Sequence, residues 1–314
     1  MNKIIERIER EAGVPGLASI LAERLAPTDL QSLLLEVYRL RSSRKGAPDL
    51  LGDYESDRFV RPSSVSPIRL LAWEGIALAA LPPEFQPLAL SPVSPLGTCS
   101  VTAGVDQNWA VATSRNTEVV SDSTNVLALE CALRRRQLLR TDPKSTEPVH
   151  LAASHRLLRG QQFHGPLQVS HFSLFCLCSA GRDLGSLRFE LSGLGLHIRF
   201  YLNALRTFLG PDVPLHLSLT DYHASPRHSL LEAALLEPFA AGFENLDCAF
   251  DDQRTSGKGY YHDLCFHIHA DGPSAGRLEL VDGGVVDWTQ RLLSNKKERL
   301  VISGIGSERL CTAF

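Results

Sequence analysis

The residues best suited to chemistry gather toward the C-terminal end. Gly283-Gly284-Val285-Val286-Asp287-Trp288 precedes a polar run, Ser294-Asn295-Lys296-Lys297-Glu298-Arg299, and then Leu300-Val301-Ile302-Ser303-Gly304-Ile305-Gly306-Ser307-Glu308-Arg309-Leu310. The apolar residues 300–302 predict a buried strand, and Gly304 and Gly306 a tight passage out of it. Residues 307–310 open a helix, with Glu308 favoured near its positive end. Glycines at such a passage let backbone or a flat ligand come close. Arg309, in the first helical turn, can lay its guanidinium over an aromatic ring or against a phosphate. Taken alone, the pattern also fits a glycine turn followed by a surface arginine.

A second arginine stands far upstream. Residues 151–159 and 171–179 read as two strands, joined by the loop Phe163-His164-Gly165-Pro166-Leu167-Gln168, with Arg159-Gly160-Gln161 at the first strand's end and His171-Phe172 opening the second. A preplaced guanidinium there would offset the charge that builds on a phosphate during in-line displacement. An arginine facing solvent at a strand end is the alternative on this segment alone. Further on, Asp122 and Thr124 stand before a helix over 125–138, where Asp122 or Ser123 would cap it. Tyr260-Tyr261 precedes a strand over 264–268. The strand over 277–282 carries the acids Glu279 and Asp282, and Asp287 reads as a helix cap.

In order and spacing these segments resemble the motifs of class II aminoacyl-tRNA synthetases, the histidyl type most closely. A Gly-Gly turn, short helix, strand and G-x-G-x-E-R-L resemble motif 3. Leu158-Arg159-Gly160-Gln161, a loop and His171-Phe172 resemble motif 2. The helix over 68–81, stopped by Pro82-Pro83, and the strand ending near Pro92 resemble motif 1. The resemblance spans residues 63–314 and implies an α+β fold: an antiparallel sheet flanked by helices. It further implies that Arg309 stacks on the adenine of ATP and that Arg159 holds the α-phosphate and an amino-acid carboxylate. Gln161, Phe172, Glu279, Gly304 and Gly306 would complete the ATP site, with Glu279 and Asp282 as Mg²⁺ ligands. Asp122 and Thr124 match the acid and threonine that bind a substrate amino group, and Tyr260 and Tyr261 match a tyrosine pair shaping the amino-acid pocket.

The departures are specific. Gln161 replaces a glutamate, and the loop at 163–168 lacks the second arginine that meets the distal phosphates. The arginine expected before the tyrosine pair aligns with Ser256, with Arg254 and Lys258 close by, and Gly259 replaces an aspartate.

The elements that must position these residues follow from pattern. The chain has 314 residues, of which 44% are hydrophobic, enough for one large or two ordinary domains. Its net charge of −3 provides no global basic field for nucleic acid. Seven scattered cysteines without a C-x-x-C pair predict reduced thiols and a cytoplasmic protein; Cys176 and Cys178 would share one strand face. No signal-peptide pattern and no apolar run of membrane-spanning length is present, so no membrane partner is expected. Residues 1–62 read as an N-terminal helical extension. Ile4, Ile5, Ile8 and Ala12 form a stripe, and Thr28 and Gln31 predict a capping box before a leucine-rich helix that is either core or a docking face. Residues 46–67 read as loop, and 109–113 as a strand. His262, His267 and His269 lie close together, but with no carboxylate at a recognised spacing they do not predict a metal site.

Two functions follow. One is an enzyme that activates an amino acid with ATP and Mg²⁺ to an aminoacyl-adenylate and passes the acyl group to a carrier or another acceptor. The other is a non-catalytic paralogue like the regulatory subunit of ATP phosphoribosyltransferase. A homodimer is expected in either case, with a carrier protein or metabolic enzyme as partner. No anticodon-binding domain follows motif 3, so tRNA is not the favoured acceptor.

Overall fold

The computed structural model describes residues 3–161, 170–223, 227–272 and 276–314. The loop at 163–168 therefore lies outside the described residues. Four helices come first: α1 (Lys3–Ala12), α2 (Leu17–Ser19), α3 (Pro27–Ser42) and α4 (Ala47–Ser56), none with a buried residue. The leucines of α3 are not core: Leu33, Leu35 and Leu40 are exposed. The expected capping box is absent because α3 starts at Pro27, after Ala26, with no side-chain cap; proline's fixed φ suits the first helical position. Helix α4 occupies the stretch read as loop. Its Pro48 lies in the first turn, and the Asp49 carboxylate accepts the Gly46 N–H at 2.9 Å, so the residues taken for loop punctuation start a helix.

Helix α5 (Pro67–Ala79) buries Trp73 and Ala77. It leads into β1 (Phe85–Pro87), β2 (Val93–Pro95), α6 (Thr98–Ala103) and β3 (Thr117–Val119). Residues 109–113 form no strand: Gln107–Trp109 is a 3₁₀ turn capped by Asp106, and Ala112 makes a single bridge to Glu118. The body of the fold then runs α7 (Ser123–Thr141), β4 (Val149–Leu158), β5 (His171–Arg182), α8 (Arg188–Leu209), β6 (Leu215–Asp221), α9 (His228–Leu231), α10 (Glu237–Gly242) and β7 (Leu246–Phe250). It closes with β8 (Leu264–Gly272), β9 (Gly276–Val286), α11 (Trp288–Leu293), β10 (Glu298–Gly306) and α12 (Ser307–Ala313).

Eight strands form one sheet in the order β1-β4-β5-β10-β9-β8-β6-β7. The six from β4 to β6 are mutually antiparallel, as expected, while both outer strands pair parallel to their neighbours. Strand alternation assigns the two faces. Phe175, Leu177, Val301 and Ile305 turn toward Leu194, Ile198 and Tyr201 of α8. Cys176, Cys178 and Ile302 turn the other way, toward Leu127 and Cys131 of α7. Burial pushes the Cys176 thiol up to about 12, so this cysteine packs as a small hydrophobe. Trp73 Nε1 donates to Ser307 Oγ at 3.0 Å, fixing α5 against α12.

The glycines resolve differently from expectation. Gly283 and Gly284 make no turn; both lie inside β9. A Cβ on Gly283 would stand 2.5 Å from Ser303 Cβ and 2.6 Å from the Phe266 ring; one on Gly284 would stand 2.5 Å from the Leu264 carbonyl oxygen. Close approach, and not left-handed backbone, demands glycine there. Gly304 and Gly306 likewise lie within β10, and α12 begins at the next residue. Because the Gly284 neighbour is backbone, Gly284→Ala is expected to cost about 1–3 kcal/mol by overpacking, read as a lower urea midpoint at unchanged slope. An unchanged midpoint would show that β8 and β9 can separate freely.

Candidate functional site

The site is assembled on the α7 face of the sheet. Asp122 caps α7: its Oδ1 accepts the Thr124 N–H at 2.9 Å and the Thr124 hydroxyl at 2.7 Å. Its other oxygen, Oδ2, meets Arg159 Nη2 at 3.3 Å. Capping and an outward-facing charge are thus both met by one carboxylate. Arg159 directly follows β4. Its N–H donates to the Ser170 carbonyl at 2.7 Å and its Nε to the Ser121 carbonyl at 2.8 Å, and the guanidinium lies 5.1 Å from the Phe172 ring centre. The guanidinium is therefore held by an acceptor, an anion and a ring before any ligand is considered.

On the opposite wall, Tyr260 and Tyr261 meet edge to face at 5.0 Å, and Tyr260 packs on Trp288 at 5.5 Å. Burial drives both phenols far above their ordinary range; Tyr260 is hydrogen-bonded to Thr124, and Tyr261 stands against Asp282. The floor comes from β9, β10 and α12. Glu279 and Asp282 rise from β9, and Gly304 and Gly306 contribute backbone from β10. Arg309 Nη1 donates to the Glu279 carbonyl at 3.1 Å.

Arg159, Gln161, Phe172, Asp122, Thr124, Tyr260 and Tyr261 share one cavity of about 640 Å³ with Glu279, Asp282, Gly304, Gly306 and Arg309. That volume lies within the range of about 300–1,000 Å³ usual for small-molecule sites. Arg159 and Arg309, far apart in the chain, thus face one hollow, and every residue singled out in the sequence for substrate, nucleotide or cation borders it. Asp287, read as a cap, stands at the start of α11 but makes no side-chain cap; its carboxylate pairs with Arg291 at 3.0 Å.

Three side chains escaped the sequence reading. Arg254 reaches Asp282 at 3.0 Å with only 4% of its side chain exposed, and its guanidinium lies 5.7 Å from the Tyr261 ring. The cation missing at Ser256 therefore comes from two residues earlier. His267 Nε2 lies 3.3 Å from the same carboxylate. Burial would raise the Asp282 carboxyl, but hydrogen bonding from His267 and the Arg254 charge outweigh it and hold the group below its usual range. Arg254→Met is expected to raise the Asp282 pKa, followed by carboxyl ¹³C NMR; an unmoved titration would leave His267 as the dominant partner. Third, Asn125 is buried and borders the cavity, and among the described residues its Oδ1 has no hydrogen-bond partner. Only its place beside Thr124 at a helix start could have flagged it.

Sheet order, flanking helices and cavity define a class II aminoacyl-tRNA synthetase-like core. Solved structures show the same fold. S. aureus histidyl-tRNA synthetase superposes with a TM-score of 0.56 at 11% identity, over 80% of this chain and 72% of that one. The protein described as an ATP phosphoribosyltransferase regulatory subunit/histidyl-tRNA synthetase from Bacillus halodurans C gives 0.60 at 12%, over 82% and 83%. A histidine–tRNA ligase subunit from Alicyclobacillus acidocaldarius gives 0.57 at 12%, over 81% and 96%. At such identities the likeness is one of fold. No protein-family model matches the sequence, and no curated protein does. No helix among the described residues is long and apolar enough to cross a membrane.

Proposed function

We propose that the cavity binds an amino acid and ATP and joins them as an aminoacyl-adenylate, which then passes its acyl group to a carrier or other acceptor. The observation that carries this reading is the convergence of Arg159 and Arg309 on one hollow of nucleotide size. One carboxylate oxygen of the amino acid attacks the α-phosphorus. A P–O bond forms to it, the bond to the bridging oxygen breaks, and pyrophosphate leaves with the electron pair. The nucleophile is already ionised, so no general base is needed and the work is positioning and charge.

Arg159 offsets the charge at the α-phosphate, and Arg309 and Phe172 take the base and its neighbourhood, with the backbone of Gly304 and Gly306 giving a flat approach. Asp122 and Thr124 receive the ammonium group, beside Tyr260 and Tyr261. Asp122 would exchange part of its pairing with Arg159 for that ammonium. Mg²⁺ supplies charge on the phosphates and draws most of its ligands from phosphate and water, so Glu279 and Asp282 suffice from the protein. Gln161 accepts a hydrogen bond in place of the glutamate. Homodimer formation, a cytoplasmic setting and a carrier protein or metabolic enzyme docked on the exposed N-terminal helices belong to the same reading; tRNA is not the favoured acceptor.

A specific observation favours the second reading, a non-catalytic regulatory paralogue. Arg159 is already engaged by Asp122 and Ser121, and the partnerless loop glutamate is replaced by Gln161. Amino-acid-dependent pyrophosphate–ATP exchange separates the two: turnover supports the enzyme, and none with any amino acid supports the regulator.

A further inference from the structure

A second chemical feature borders the cavity and plays no part in adenylation. His267 and His269 alternate on β8, on the same side of the strand, and their rings meet edge to face with centres 5.4 Å apart. No carboxylate is near them in sequence. The fold supplies one. Between Ile268 and His269 the pairing of β8 with β9 shifts: His267 lies opposite Asp282 and Ile268 opposite Val281, but His269 lies opposite Glu279, with Leu280 skipped. This irregularity turns Glu279 toward both imidazoles. One ligand atom from each of His267, His269 and Glu279 lies within 4.8 Å of the other two, and His267 Nε2 stands 3.7 Å from Glu279 Oε2.

We propose that His267, His269 and Glu279 form a binding site for a divalent cation of the zinc class at the rim of the cavity. Two imidazoles and one carboxylate are a donor set that zinc-class cations take and that Mg²⁺, which prefers oxygen, does not. His267 is buried while His269 and Glu279 are half-buried, so the cluster is shielded yet reachable. Glu279 also borders the cavity, which places the cation's remaining coordination positions beside whatever occupies it. A three-ligand site of this kind keeps a position for water or for an oxygen or nitrogen donor of a bound molecule. Glu279 has two carboxylate oxygens, so one serves the cluster while the other stays open to Mg²⁺ arriving with a nucleotide. The proposal stands on the cluster alone and not on adenylation.

The test uses Zn²⁺ and Co²⁺ alone, with the full chain freed of metal by a chelator and no nucleotide present. Calorimetric titration is expected to show one Zn²⁺ per chain, and Co²⁺ to give the visible absorption of a low-symmetry nitrogen-ligated ion. His269→Ala and Glu279→Gln are each expected to weaken Zn²⁺ by at least about tenfold, while His171→Ala, far from the cluster, leaves it unchanged. Circular dichroism checks that each variant is folded, and His269→Gln provides a milder change at the same position. Absence of stoichiometric binding, or equal affinity in the wild type and the cluster variants, would overturn the proposal. Since no nucleotide enters the experiment, either result leaves the adenylation reading where it was.

Discussion

Arg135→Ala is expected to destabilise the protein by about 3–5 kcal/mol. Arg135 on α7 and Glu298 at the start of β10 are both fully buried, with Nε to Oε2 at 2.8 Å and Nη2 to Oε1 at 3.0 Å. Nη2 also donates to the Ser145 carbonyl at 3.0 Å, and Nη1 to the Glu147 carbonyl. Truncation leaves a buried carboxylate and two carbonyls without their donor, and desolvation of the unpaired charge dominates the loss. Arg135→Met combined with Glu298→Leu removes both charges and is expected to recover part of the stability, the carbonyls still lacking a donor. Urea unfolding reads both variants. A loss under about 1 kcal/mol in Arg135→Ala would mean that water reaches Glu298 and that α7 is not pinned as described. The pair matters to the site because α7 carries Asp122 and Thr124 at its other end.

Arg159→Ala is the change expected to reach furthest into function. If the cavity forms adenylates, exchange should fall by about 10²–10³-fold, the usual effect of removing one preorganised group that meets developing charge. Arg159→Lys keeps the charge but loses the two-pronged geometry held by Ser121, Asp122 and the Phe172 ring, so it should recover only part of the rate. A thermal melt separates this from instability, because Arg159 is partly exposed and its ion pair with Asp122 is worth little in folding. Exchange that persists at the wild-type rate in Arg159→Ala would remove Arg159 from the chemistry.

What the sequence made legible was what is local or what matched a remembered order of motifs. The strand-to-helix junction at Gly306 and Ser307 was readable because an apolar run, glycines and a helix-opening acid lie in one line. The alternation of Cys176 and Cys178 with Phe175 and Leu177 revealed two buried faces. Gly283-Gly284 misled, since a glycine pair looks the same in one dimension whether the backbone turns or whether Phe266, Ser303 and Leu264 crowd it from neighbouring strands. Helix α4 was hidden because proline and aspartate open helices as readily as they break them. Arg254 and the histidine cluster were out of reach for a different reason. Their partners, Asp282 and Glu279, come from another strand, and a one-residue irregularity in pairing decides which acid meets which histidine. Such a slip leaves no mark in the periodicity. The convergence of Arg159 and Arg309 is of the same long-range kind, and it was legible only through the resemblance.

The most direct measurement is pyrophosphate–ATP exchange by the full chain, run separately with each common amino acid in the presence of Mg²⁺. The account predicts exchange above background with one amino acid or a small, chemically related set. Background exchange with every amino acid, together with a stable complex between this chain and a metabolic enzyme, would contradict it and make the cavity a regulatory binding site.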